Sequence, residues 1–156
     1  MQIFKFISNN IVICTDQAAV LDATGLRGRD WFNPTVAGLV TQDSCTALPA
    51  NYIDNAYSYA NGTWTVVDQA AVTKYTNQQI VYQWQAYQSQ ASQALSESDS
   101  TMQRVIEGVA LGTCALTNAD VVAYINMRKA LRVILSEAQP ATIPTTLPTA
   151  PFPVGT

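Results

Sequence analysis

Apolar residues in the first 67 positions come in short runs broken by turn formers, and beyond position 68 they fall at helical intervals. Ile3, Phe4, Phe6 and Ile7 precede Ser8-Asn9-Asn10, and Ile11, Val12 and Ile13 follow. β-Branched and aromatic flanks around a turn that accepts positive φ predict a hairpin. Gly25, Gly28 and Pro34 fall within ten residues and predict a loop. Val36, Leu39 and Val40 then predict a short strand or a turn of helix, and "TQDSCTALPANYIDN" (41–55) a second loop. In "AYSYANGTWTVVD", Tyr57 and Tyr59 alternate with Ser58, Asn61-Gly62 suits a type I′ turn, and Trp64, Val66 and Val67 form the return strand.

From Thr63 to Glu107 there is neither Gly nor Pro. Asp68 is a good N-cap, and Ile80, Trp84, Tyr87, Ala91, Ala94 and Leu95 recur at three- and four-residue steps, laying one apolar stripe along a helix. Glutamines occupy the opposite side. The polar run Ser96–Ser100 predicts an interruption, with Ser100 and Gln103 as a capping box for a second helix ending at Gly112. Thr117 or Asn118 caps a third, whose buried candidates are Val121, Tyr124, Ile125, Leu131, Ile134 and Leu135. Strands first and helices second make an α+β fold. It comprises a small N-terminal β-hairpin module (1–67), a long helix with a two-helix C-terminal bundle (68–137), and an extended Pro/Thr-rich tail (138–156).

The tail changes the picture. No charged side chain follows Glu137, and five of the seven prolines lie at Pro140, Pro144, Pro148, Pro151 and Pro153. Such spacing favours polyproline II, along which Ile143, Leu147 and Phe152 stand as apolar pegs. Residues 139–156 are expected in a groove of a neighbouring subunit, and Ile80, Trp84 and Tyr87 on the long helix are expected to pack against another chain. These six residues are the candidate partner-binding set.

Composition narrows the function. At 156 residues the chain has the length of one domain, and charged residues are 12%, about half the usual share, with net charge −3. Without a basic face, no nucleic-acid partner is expected. No run of 18 apolar residues predicts a membrane span, and the start lacks the pattern of a secretory signal, so a bacterial or host cytoplasm is the expected place of folding. Histidine is absent, which removes Ser-His and Cys-His nucleophile pairs. Cys14, Cys45 and Cys114 have no metal-ligand spacing and read as small buried hydrophobes, with a disulfide to a partner as the alternative. Asp16, Asp22, Asp30, Asp43 and Asp54 read as solvated loop acids, and Trp31, Tyr52, Tyr57, Tyr59 and Trp64 as core fillers more than a sugar platform. Lys129, Arg128 and Arg132 read as a solvated stripe. No catalytic residue, cofactor or metal is assigned.

Two stretches resemble the tail fibre assembly proteins of tailed bacteriophages and related short phage tail proteins. In the first, an aromatic-x-Asn-Pro loop (Trp31, Asn33, Pro34) precedes a Leu-Pro-x-x-Tyr segment (Leu48, Pro49, Tyr52) and a Tyr-rich hairpin ending in Gly-x-Trp (Tyr57, Tyr59, Gly62, Trp64). In the second, a helix start bearing Asp99, Thr101, Met102 and Arg104 is followed by Arg128, Leu131 and Arg132. The similarity spans about residues 31–135. It departs where many relatives carry a Trp and a Tyr-Arg pair in the last helix and this chain has Val121-Val122 and Met127-Arg128. The resemblance implies binding without catalysis, as a chaperone or adaptor for the fibre or its attachment site. Fibre or baseplate proteins are the implied partners, and a homo-oligomer is a further expectation. The alternatives are an architectural tail or baseplate subunit that stays in the virion and a carbohydrate-active enzyme.

Overall fold

A computed structural model describes residues 1–154; Gly155 and Thr156, the last two positions of the expected tail, lie outside the described residues. The fold is α+β. Among the described residues, eight short strands are followed by α1 (Gln69–Leu111) and α2 (Ala119–Ser136). The chain divides into two compact units, Met1–Gln78 and Gln79–Thr156. The first ten residues of α1 belong to the β unit, because Val72 and Ala71 pack with Ala56 and Tyr57 of that unit.

In the β unit, β1 (Gln2–Phe6) lies between β2 (Val12–Cys14) and β6 (Val40–Ser44), antiparallel to both. The turn between β1 and β2 carries Asn10 at φ 58, the positive dihedral its sequence allows. Successive side chains of β1 point to opposite faces, and both faces are covered. Phe4 packs with Cys14, Ala19, Leu26, Val36 and Val40, while Ile3 packs with Val12, Cys45 and Tyr59. Lys5 is buried too. Its ammonium donates to the Asp43 carboxylate at 2.6 Å and to the Tyr59 carbonyl at 2.9 Å, and the hydrogen bond from Lys5 holds the Asp43 carboxyl below its ordinary pKa.

A second small sheet joins β3 (Val20–Asp22), β4 (Gly25–Arg27) and β5 (Phe32–Asn33), and a separate hairpin joins β7 (Tyr57–Ala60) to β8 (Thr63–Val66). Asn61 at φ 50 and Gly62 at φ 78 form the two-residue turn that the Asn-Gly pair predicts. The two segments read as loops contain strands. Thr41–Ser44 belong to β6, an edge strand recognised by its backbone ladder to β1, since its side chains carry no apolar alternation. Gly25–Asn33 supplies β4 and β5, with Pro34–Val36 as a short 3-10 turn capped by Asn33, whose side-chain oxygen accepts from the Thr35 N–H at 3.1 Å.

In the helical unit the expected break at Ser96–Ser100 is absent, and α1 runs through it for 43 residues. Two of its polar side chains face inward. Ser98 and Thr101 are buried, and Ser98 Oγ donates to the Leu95 carbonyl at 2.6 Å. One continuous helix and one partner therefore replace the long helix and two-helix bundle. α1 starts where expected, with Asp68 accepting from the Ala71 N–H at 2.9 Å. It ends at Gly112, φ 72, where the Thr113 N–H bonds the Gly108 carbonyl and the Gly112 N–H bonds that of Val109, a Schellman pair. α2 returns antiparallel. Val105 meets Val121 near the loop, and Ala91, Tyr87 and Trp84 meet Leu131 and Ile134 at the far end. Leu135, expected inside, is exposed.

Arg128 corrects the reading of a solvated stripe. It is 7% exposed, lies on the inner face of α2, and donates to the Leu95 carbonyl, the Ser98 hydroxyl and the Asp99 carboxylate, the last at 2.6 Å. The guanidinium thus ties α2 to the very segment of α1 where a break was expected. Its fork supplies several donors in fixed geometry, which a lysine could not reproduce.

Candidate functional site

Two surfaces carry the candidate chemistry, one in each unit. In the helical unit it is the groove that α1 and α2 form around Trp84 and Tyr87. These rings are stacked with centroids 5.7 Å apart and are 6% and 7% exposed, in one cluster with Ala91, Leu131 and Ile134. Ile143 and Leu147 of the chain's own tail pack against this cluster. The Tyr87 hydroxyl donates to the Thr146 carbonyl at 2.9 Å, and farther on the Val154 N–H donates to the Asp120 carboxylate at the start of α2. Asp120 is held below the ordinary carboxylate range chiefly by that bond. Phe152 lies 6.4 Å from the Tyr124 ring, centroid to centroid, and is 76% exposed.

The described tail is therefore seated in its own unit, where a groove of a neighbouring subunit was expected. Of the six candidate partner-binding residues, the structure brings together Trp84, Tyr87, Ile143 and Leu147 as one intramolecular contact. Ile80 is half-buried and outside that cluster, and Phe152 points largely to solvent. An open surface depression of about 640 Å³ is lined by Tyr87, Ala130 and Ile134 together with Pro144, Leu147 and Pro148. Among the glutamines of α1, Gln88 donates to the Ile134 carbonyl at 3.0 Å, satisfying one of the last carbonyls of α2.

Removing residues 139–156 should destabilise the helical unit. It uncovers Tyr87 and Ile134 and deletes two half-buried aliphatic pegs, at about 2 kcal/mol in all. Chemical denaturation of the full and truncated chains, followed by helical circular dichroism, measures the loss. A truncated chain with unchanged stability would show that the tail contributes no packing energy.

In the β unit the candidate is a cleft of about 690 Å³ floored by Phe6, Leu26 and Cys14. Its rim carries Trp31, Asp16 and Asp54. Gly28 explains how the indole reaches the rim. A Cβ there would lie 2.1 Å from Trp31 Nε1 and 2.9 Å from Asp16 Oδ2, so only glycine leaves room for both groups above it. Gly25 does the same for the wall. Its φ is 143, and a Cβ would sit 2.4 Å from the Asn33 carbonyl oxygen and 2.8 Å from Pro34 Cα. Leu26 and Asn33 are cross-strand partners, so this close approach of β4 to the Asn33-Pro34 segment sets the cleft wall.

Asp54 accepts from the Tyr52 hydroxyl at 2.7 Å, yet burial of its inner side pushes its carboxyl above the ordinary value. Tyr52 is pushed up as well, first by burial and then by the Asp54 bond. The Cys14 thiol is raised, mainly by burial, with Asp54 and Asp16 adding to the effect, so it is protonated and a poor nucleophile at neutral pH. Asp16 and Asp54, read as solvated loop acids, thus share one cleft. Trp31, read as a core filler, is 40% exposed at its mouth. The other aromatics do fill the core, with Trp64 in contact with Tyr52, Tyr57 and Tyr59. Sequence spacing gave no sign of the cleft because its members come from four separate segments between Phe6 and Asn55.

Among the described residues no cluster of three metal-ligating side chains occurs, and no helix is long and apolar enough to cross a membrane. All three cysteines are free and buried. Compared with models of known protein families, with curated proteins and with solved structures, the chain matches none.

Proposed function

We propose that this chain is a tail protein of a tailed bacteriophage that binds the tail fibre or its attachment site. It acts as an assembly chaperone or adaptor through protein–protein contacts. The observation that supports this reading most directly is the outer surface of the helical unit. Ile106, Leu111, Val122 and Val133 are exposed on α1 and α2, and Phe152 on the tail. Exposed apolar groups on a chain with few charges suit a partner that covers them, and the resemblance over residues 31–135 names the kind of partner. The work is done in the host cytoplasm during assembly.

The test is co-expression with a tail fibre polypeptide from the same genome, followed by affinity capture and quantification. The native chain is expected to capture the fibre. Replacing Ile106 and Val122 together with glutamate, substitutions at positions already in water, should reduce capture by more than tenfold while the helical circular dichroism stays the same. Fibre capture that is absent from the native chain overturns the reading. Quantitative mass spectrometry of mature particles separates the adaptor from a permanent structural subunit of the tail or baseplate, which would be present in fixed stoichiometry with other tail proteins.

A further inference from the structure

From the cleft of the β unit we infer a second binding site, one that takes an organic cation on a short apolar stem, such as the side chain of an arginine or lysine presented by another polypeptide. The inference stands apart from the role proposed for the helical unit, because every residue it uses lies between Phe6 and Asn55.

Three observations converge. The cleft, about 690 Å³, is within the range of pockets that hold ligands, and its floor of Phe6, Leu26 and Cys14 suits an alkyl stem. Its charged lining is of one sign. Asp16 and Asp54 face it, no lysine or arginine lines it, and neither acid belongs to an ion pair among the described residues. The nearest cations in sequence serve elsewhere: Arg27 pairs with Asp22 and stacks on Phe32 at 5.1 Å, while Arg29 lines a separate depression with Trp31 and Phe32. The third observation is independent of the acids. An indole, the best aromatic partner for a cation, stands exposed at the mouth in a position that the missing Cβ of Gly28 makes possible.

The hydrogen bonds at the rim leave acceptor capacity. Asp16 Oδ1 accepts from the Ala18 N–H at 2.8 Å and Asp54 Oδ1 from Tyr52, while each carboxylate has a second oxygen. Burial disfavours the charged form of Asp54, and an entering ammonium or guanidinium would relieve that penalty. A divalent metal is a poorer occupant, since among the described residues no three ligating side chains are placed to hold one, Cys14 on the floor included.

The experiment is a titration of the full chain followed by the Trp31 indole N–H resonance, assigned with Trp31→Phe. The probes are N-acetyl-arginine amide, N-acetyl-lysine amide, the neutral N-acetyl-citrulline amide and putrescine. Saturable shifts are expected with the two cationic amides, with the citrulline analogue about tenfold weaker. Asp16→Asn and Asp54→Asn should each weaken the arginine amide about threefold. Amides that bind more tightly than putrescine assign the site to a polypeptide side chain, whereas the reverse order assigns the same cation chemistry to a free polyamine. An indole resonance that the amides leave unmoved, or equal binding of citrulline and arginine amides, overturns the inference, and neither outcome depends on the Asp16 or Asp54 variants folding.

Discussion

Arg128→Ala should lower the stability of the helical unit by about 3 kcal/mol. The substitution deletes a side chain that is 7% exposed and leaves a void on the inner face of α2. It also removes the donors to Leu95 and Ser98, two acceptors within α1, of which Ser98 is itself buried. The Asp99 carboxylate contributes little to the loss, because its side chain is 67% exposed and water replaces the guanidinium. Asp99→Asn should therefore cost far less than Arg128→Ala, and Arg128→Met, which keeps the stem, should fall between them. Urea denaturation of the three variants, read by circular dichroism at helical wavelengths, gives the ordering. Equal losses for Asp99→Asn and Arg128→Ala would show that the ion pair carries the energy and the buried bonds do not.

Gly25→Ala is the second large effect, at about 3 kcal/mol or more. Two costs combine there. The backbone at φ 143 lies where residues with a Cβ are rarely found, and the added carbon would meet the backbone of Asn33 and Pro34 within 3 Å. Backbone cannot swing aside as a flexible side chain can, so β4 and β5 must part. Loss of stability should therefore come with a change at the cleft, seen as a shift of the Trp31 fluorescence or indole resonance. Gly62→Ala is the control: its φ of 78 is also positive, but nothing lies within 4 Å, so it carries the backbone cost alone. A Gly25→Ala variant no less stable than Gly62→Ala would mean that the strand contact is not tight.

The parts of this fold that could be read in advance are those whose signals are local. Asn61-Gly62 fixes a hairpin and Asp68 and Gly112 bound a helix by groups that act within a few residues of themselves. Ser96–Ser100 carries an equally local signal for a helix start, and it is overridden. Ser98 and Thr101 face α2, and Arg128, thirty residues later than Ser98, supplies the polar partner that keeps the run helical. The stripe through Trp84 and Tyr87 was legible as a buried face, but not what buries it, since Ile143 and Leu147 reach it from the far end of the chain. Strand β6 offers no apolar rhythm and is defined by its pairing with β1. Asp16, Trp31 and Asp54 could be listed, but only the folded β sheets bring them to one rim.

The tail's manner of attachment has a consequence for the media in which the protein can work. It is fastened by aliphatic side chains, by its own carbonyl at Thr146 and by its own N–H at Val154, and beyond Glu137 it has no charged side chain to form an ion pair. Added salt screens side-chain ion pairs but leaves apolar contacts in place. The clasp should hold in the ionic strength of a cell and in the far more variable water outside one.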